Sequence, residues 1–238
     1  MFDKKLKKTI YTLNLNSDVY KDITDITYPL FKIYANKIGA EFYEITERKF
    51  PEAKSPTYEK CQIFELAQEH QNDWNIFIDA DAIIHPDTPD ITELLKKDEV
   101  YHNAVDFSPL RFVSDRFFKR DGRNIGSASW LCIASDWCIE LFKPLDDMTL
   151  NEAYDNIFPI YDEVKRGYES HRLIEDYVFS RNIAKYGLKV KTFKDLHFEG
   201  DYFWHDYAKP IEEKTILLKQ VIKNWNLSDL KKYENYQR

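Results

Sequence analysis

Long apolar runs are missing from these 238 residues. None approaches the roughly 18 residues that a membrane span needs, and the charged start, Met1 to Lys8, leads into no signal-type apolar region. No anchor or export signal is therefore expected, and the expected location is cytoplasmic. Cysteine is scarce: Cys61, Cys132 and Cys138 are odd in number and lack zinc-type spacing, so they read as reduced core residues. Positive charge is not in excess either. The formal net charge of -7 removes the overall positive field that nucleic acid or an anionic bilayer would require, and no nucleic-acid partner is expected. Internal repeats, low-complexity tracts and Gly/Ser linkers are also missing, which makes one domain over residues 1–238 the expectation.

What is there suits a packed core: 43% of residues are hydrophobic and 16% aromatic, too many for a disordered chain. Lys8 to Leu15 reads as a first buried strand that ends in a polar loop. Ile23, Ile26, Leu30, Ile33, Tyr34 and Ile38 fall at helical spacing, with Gly39 placed to end the helix and Pro29 tolerable only near its first turn. A short strand, Glu41 to Thr46, and a helix, Thr57 to Gln71, follow. Trp74 to Ile78 is a continuous apolar run that stops abruptly at Asp79, as a central strand does on leaving a sheet. Strand and helix alternate up to this point, which predicts a three-layer α/β/α architecture with ligands outside the carboxyl ends of the strands. Further on, Val100 to Phe107, Ser129 to Ala134 and Lys189 to Phe193 read as strands. Asp136 to Phe142 and Ile174 to Tyr186 read as helices, and so does the segment after Lys214. The central sheet is expected to be mixed.

In Asp79-Ala80-Asp81 the carboxylates are two apart, and on an extended chain such positions point to the same side, where both can address one cation. Carboxylate oxygens suit Mg²⁺ or Mn²⁺, whose remaining positions are commonly filled by substrate phosphate oxygens. The same string would also serve as a solvated turn or a helix cap. Two acids directly after a buried strand nevertheless carry a desolvation cost unless a cation or ligand meets them.

Through Ile76-Phe77-Ile78-Asp79-Ala80-Asp81-Ala82-Ile83-Ile84, with the helix opening Tyr58-Glu59-Lys60 before it, the chain resembles the GT-A class of nucleotide-sugar glycosyltransferases. The resemblance implies a Rossmann-like nucleotide-diphospho-sugar transferase domain. It divides into a nucleotide-binding half over about 8–107, an acceptor and catalytic half over about 125–213, and a C-terminal helix over about 214–238. It implies that Asp81 binds the metal, that Asp79 contacts the metal or the donor ribose, that Lys60 belongs to the donor site, and that Thr12 and Asn14 flank the nucleotide base. Ile174-Glu175-Asp176-Tyr177 is similar to the Glu-Asp segment of inverting members, which makes Asp176 the candidate base and Glu175 the fallback. The bland reading is two acids favoured by a helix N-terminus, so a retaining outcome stays open. His197 with Gly200 matches the late His-Gly pattern of the class. His197 is preferred as the third metal ligand and His205 is the alternative, while Lys209 lies farther along than the diphosphate lysine of the pattern. A nitrogen ligand favours Mn²⁺ over Mg²⁺. Gly126 resembles the small-residue strand entry beside the donor sugar. Arg111 to Arg123 is the one basic patch, either a loop closing over a diphosphate or a solvated loop. Tyr154 to His171 suits an acceptor-binding insertion.

The expected function is metal-dependent transfer of a sugar, UDP-linked by preference, to an acceptor hydroxyl on a glycan, a lipid-linked or a protein-linked sugar. Behind it stand a sugar-phosphate nucleotidyltransferase, disfavoured because Leu13-Asn14-Leu15-Asn16-Ser17 is neither glycine-rich nor basic, and a non-catalytic carbohydrate-binding protein.

Overall fold

Lys8–Leu13 forms the first strand, β1, and its side chains divide between two helical layers: Ile10 faces one core and Tyr11 the other, both fully buried. The computed structural model describes residues 6–102, 129–157, 173–193, 195–196, 202–206 and 209–236. After β1 come helix α1 (Ser17–Ile38), β2 (Ala40–Ile45), a 3₁₀ segment (Pro56–Gln62) running into α2 (Ile63–His70), and β3 (Trp74–Ile78). These are followed by β4 (Ile83–Ile84), β5 (Glu99–His102), β6 (Leu131–Ser135), a 3₁₀ segment (Asp136–Phe142), α3 (Leu150–Asn156), α4 (Ile174–Tyr186), β7 (Lys189–Lys191), β8 (Phe203–Trp204) and α5 (Ile211–Asn224).

Six strands make one mixed sheet in the order β2-β1-β3-β6-β5-β7. β1 is parallel to β2 and β3, and β5 is parallel to β7, while β6 runs against both of its neighbours. The period-two alternation of a strand explains how one sheet serves two cores. Ile76 and Ile78 of β3, with Leu131 and Ile133 of β6, pack under Phe31, Tyr34 and Ile38 of α1. Phe77, Cys132 and Ala134 face the opposite side, where Tyr58, Cys61, Ile63, Tyr177 and Phe179 cover them. Fully burying one such side chain contributes roughly 1.5–3 kcal/mol, so β3, buried along its whole length, is among the most strongly anchored strands. All three cysteines are buried and free. No helix among the described residues is long and apolar enough to cross a membrane.

Three local expectations change. α1 begins at Ser17, capped by the Asn16 side chain, so Pro29 stands in mid-helix. Pro29 removes the hydrogen bond to the carbonyl of Asp25, a residue on the exposed face where water can replace the lost partner. The helix expected over Thr57 to Gln71 is 3₁₀ in its first part, with Pro56 at the start and the Ser55 side chain accepting the Thr57 N–H. α5 starts at Ile211, ahead of the expected Lys214.

Candidate active site

β3 ends at Ile78, and the backbone then turns. Asp79 N–H still donates to the Trp130 carbonyl at 2.8 Å, continuing the ladder to β6, and Ala82 N–H closes a turn on the Asp79 carbonyl at 3.0 Å. The hydroxyl of Thr27 on α1 donates to the Ala80 carbonyl at 2.7 Å and pins that turn. It is therefore this turn, and not an extended i, i+2 geometry, that sets Asp79 and Asp81 side by side.

The turn leads into β4, which pairs antiparallel with β8, Ile83 opposite Trp204 and Ile84 opposite Phe203. This two-stranded ladder delivers His205, the residue after β8, to the two aspartates. His205 Nε2 lies 3.2 Å from Asp81 Oδ1 and 3.8 Å from Asp79 Oδ2. The Trp130 ring stacks on the imidazole, with centroids 5.1 Å apart, and fixes its plane. One ligand atom from each of Asp79, Asp81 and His205 fits within 4.8 Å, a group that could hold a metal ion. Two carboxylate oxygens and one imidazole nitrogen suit a divalent cation such as Mn²⁺ and leave coordination positions for substrate oxygens. The donor set therefore fits the expected ion.

Two lysines face the same carboxylates. Lys60, only 3% exposed, sends its ammonium to Asp79 Oδ1 at 3.0 Å and to the Ser129 carbonyl at 3.0 Å, with Glu175 Oε1 at 3.7 Å and the Phe77 ring beneath it. Burial by itself would lower the Lys60 pKa, but the charges of Asp79, Glu175 and Asp176 outweigh it and hold the ammonium above its ordinary range. Lys214, in the first turn of α5, pairs with Asp81 Oδ2. Burial pushes the Asp81 carboxyl up, yet the hydrogen bond and charge of His205 and the charge of Lys214 together hold it well below the usual carboxylate range.

Beyond Lys60 lies the acid pair at the start of α4. Asp176 Oδ1 accepts the Ser129 hydroxyl at 2.6 Å and the Ser129 N–H at 3.2 Å. Glu175 Oε2 accepts the Thr57 hydroxyl at 2.6 Å. Burial, then the neighbouring charge of Asp176, raises the Glu175 carboxyl to about 7. The folded chain thus holds this proton more tightly than an unfolded glutamate does, and this group's contribution makes stability fall as pH rises from the ordinary carboxylate range towards 7. Urea denaturation at about pH 5 and about pH 7.5 should show that loss, and Glu175→Gln should flatten it. An identical pH slope in the variant would mean that Glu175 is ionised throughout.

The other expected site residues are distributed as follows. Thr12 and Asn14 are buried at the carboxyl end of β1, where Asn14 donates to Glu44 Oε1 at 2.8 Å and Tyr28 donates to the same oxygen at 2.7 Å. Lys209 pairs with Glu213 on the surface. His197, Gly126, Gly200, the Arg111 to Arg123 patch and most of Tyr154 to His171 lie outside the described residues. Acids and histidines not expected at the site behave as turn and packing residues do: Asp90 pairs with Lys8 and caps Thr92, and His70 stacks on Tyr11. His102 is fully buried 3.5 Å from the Ser129 hydroxyl, and burial followed by the Lys60 charge pushes its pKa down to about 3, so it stays neutral. Sequence reasoning did not single out Lys214, Thr57 or the role of Ser129. Thr57 comes from the 3₁₀ segment before α2, Ser129 from the approach to β6 and Lys214 from α5, so only the packing of these elements brings them together.

No protein-family model matches the chain, and no curated protein matches its sequence. Among solved structures it is similar to a glycosyltransferase involved in the glycosylation of the major capsid of PBCV-1. That match has 13% identity and a TM-score of 0.51, covering 90% of this chain and 98% of that one. A protein from STIV aligns over 78% of this chain and 80% of its own at 11% identity, with a TM-score of 0.41. At such identities the first likeness speaks for architecture: this chain shares its mixed α/β fold with a glycosyltransferase.

Proposed function

We propose that this protein is a glycosyltransferase of the GT-A type that moves a sugar from a nucleoside-diphosphate donor, UDP-linked by preference, to an acceptor hydroxyl. The observation that carries the reading is the meeting of Asp79, Asp81 and His205 at the carboxyl end of the central strand β3. In it, these three side chains hold a divalent cation, Mn²⁺ in preference to Mg²⁺. When bound, the ion neutralises negative charge that grows on the leaving diphosphate. Every other task falls to the chain. Lys60 keeps Asp79 oriented and offsets the charge of the buried acids, and Trp130 holds the His205 ring edge-on to the aspartates. Asp176, oriented by both donors of Ser129, takes the proton of the acceptor hydroxyl as its oxygen attacks the anomeric carbon from the face opposite the diphosphate, an inverting displacement. Glu175, already taken up by the Thr57 hydroxyl and the Lys60 ammonium, is the poorer base. Thr12 and Asn14 flank the nucleotide at the end of β1.

A panel of nucleotide sugars with Mn²⁺, read by release of free nucleotide, tests the proposal. One donor should be turned over, and release should stop with a chelator. Calorimetric titration of UDP with and without Mn²⁺ separates catalysis from a silent carbohydrate-binding role, because metal-linked nucleotide binding is expected only of the former. Asp176→Asn should lower sugar transfer by about 10²-fold while leaving Mn²⁺-dependent UDP binding intact. Undiminished transfer in this variant would move the base elsewhere.

A further inference from the structure

Both carboxylates of the candidate metal centre already face an ammonium of the chain, but the two lysines are held differently. Lys60 is buried, and besides Asp79 it has the Ser129 carbonyl, Glu175 and the Phe77 ring around it, so it keeps partners if Asp79 turns to an ion. For the Lys214 ammonium, Asp81 is the one acid paired with it among the described residues. Lys214 sits one turn into α5, with a side chain 12% exposed at the rim of the site. Its four-carbon stem can swing, and its charge is compact and well hydrated once released.

An ammonium bound to Asp81 and a divalent cation bound to the same carboxylate lie within a few ångströms of each other, and their repulsion at that range is large even in a partly solvated site. The two therefore compete for the charge of Asp81. We propose that Lys214 is a built-in competitor for the cation. It occupies Asp81 in the free protein, must leave before a divalent ion is gripped, and so makes the ion bind well only when an anionic nucleotide arrives with it. The inference rests on the reading of Asp79, Asp81 and His205 as metal ligands. It adds a positioning residue on a helix outside the sheet, and it predicts cooperativity between two ligands, which linkage requires to be reciprocal.

Free Mn²⁺, followed by its electron paramagnetic resonance signal, reads this directly without any turnover. In the unmodified protein, UDP should raise Mn²⁺ affinity at least about tenfold. Lys214→Met should bind Mn²⁺ alone about tenfold more tightly than the parent, and the enhancement by UDP should shrink by the same factor. Lys214→Arg, which keeps the charge, should behave like the parent. Equal Mn²⁺ affinity in the parent and Lys214→Met, with UDP enhancement unchanged, overturns the competitor role and leaves the metal centre standing. Absence of UDP enhancement in the parent overturns it too, whether or not the variants fold. If the parent binds no Mn²⁺ with or without UDP, the metal centre itself fails, and this inference with it.

Discussion

Asp81→Ala is expected to reduce metal-dependent sugar transfer by on the order of 10³-fold while the chain still folds. The loss follows from position. Asp81 is the carboxylate that His205 approaches most closely and that Lys214 neutralises, so it is both a proposed ligand and the charge that draws the other groups in. Removing it leaves Asp79 and His205, too few protein ligands to hold Mn²⁺ firmly against water, and about 4 kcal/mol of transition-state stabilisation goes with the ion. Folding should survive because Lys214 lies at the rim and can turn to solvent, whereas the turn holding residue 81 is pinned through the backbone by Thr27 and by the Asp79–Ala82 hydrogen bond. Nucleotide release at saturating Mn²⁺ together with urea denaturation would check both halves. Substantial transfer by a folded Asp81→Ala protein would end the assignment, and Asp81→Asn, which keeps the shape, should be nearly as inactive.

Lys60→Ala should act mainly on stability, lowering it by about 3–5 kcal/mol. Its ammonium is almost wholly removed from solvent and is surrounded by Asp79, Glu175 and Asp176, two of which are themselves buried. Taking away one partner of such a cluster leaves carboxylates desolvated and facing each other, which costs far more than loss of an exposed ion pair, worth at most about 1 kcal/mol. Lys60→Met keeps the stem over Phe77 and should still be strongly destabilised, which separates lost charge from lost packing. Adding Glu175→Gln to Lys60→Met should restore part of the stability, since one unmatched acid is then gone. A loss below about 1 kcal/mol for Lys60→Met would mean that water reaches these acids.

Much of the fold was legible in sequence because its signals are local. The run Trp74 to Ile78 is apolar at every position but one and is closed by an acid, the mark of a central strand leaving a sheet, and it emerges as β3 with unchanged bounds. Ile174 to Tyr186 likewise keeps its bounds, placing Glu175 and Asp176 in the first turn of α4. Side-chain period and helix-ending glycines carry such information within a few residues of where it is used. The reason given by spacing for the Asp79 and Asp81 pair did not carry over, because a strand's alternation ends where its ladder ends and a turn follows.

What the chain determined by itself, then, is the order of strands and helices, the two cores and the position of four acids at strand and helix ends. Tertiary structure alone decided which basic groups meet those acids. His205 arrives through a pair of two-residue strands too short to show any period, and Lys214 arrives from a helix 133 residues away in sequence from Asp81. Lys60 is buried against the usual habit of lysine because Asp79 and Glu175, from two distant elements, converge on it. Hydrophobic periodicity is written in neighbouring residues, whereas charge pairing depends on distances that exist only once the sheet and its helices have packed.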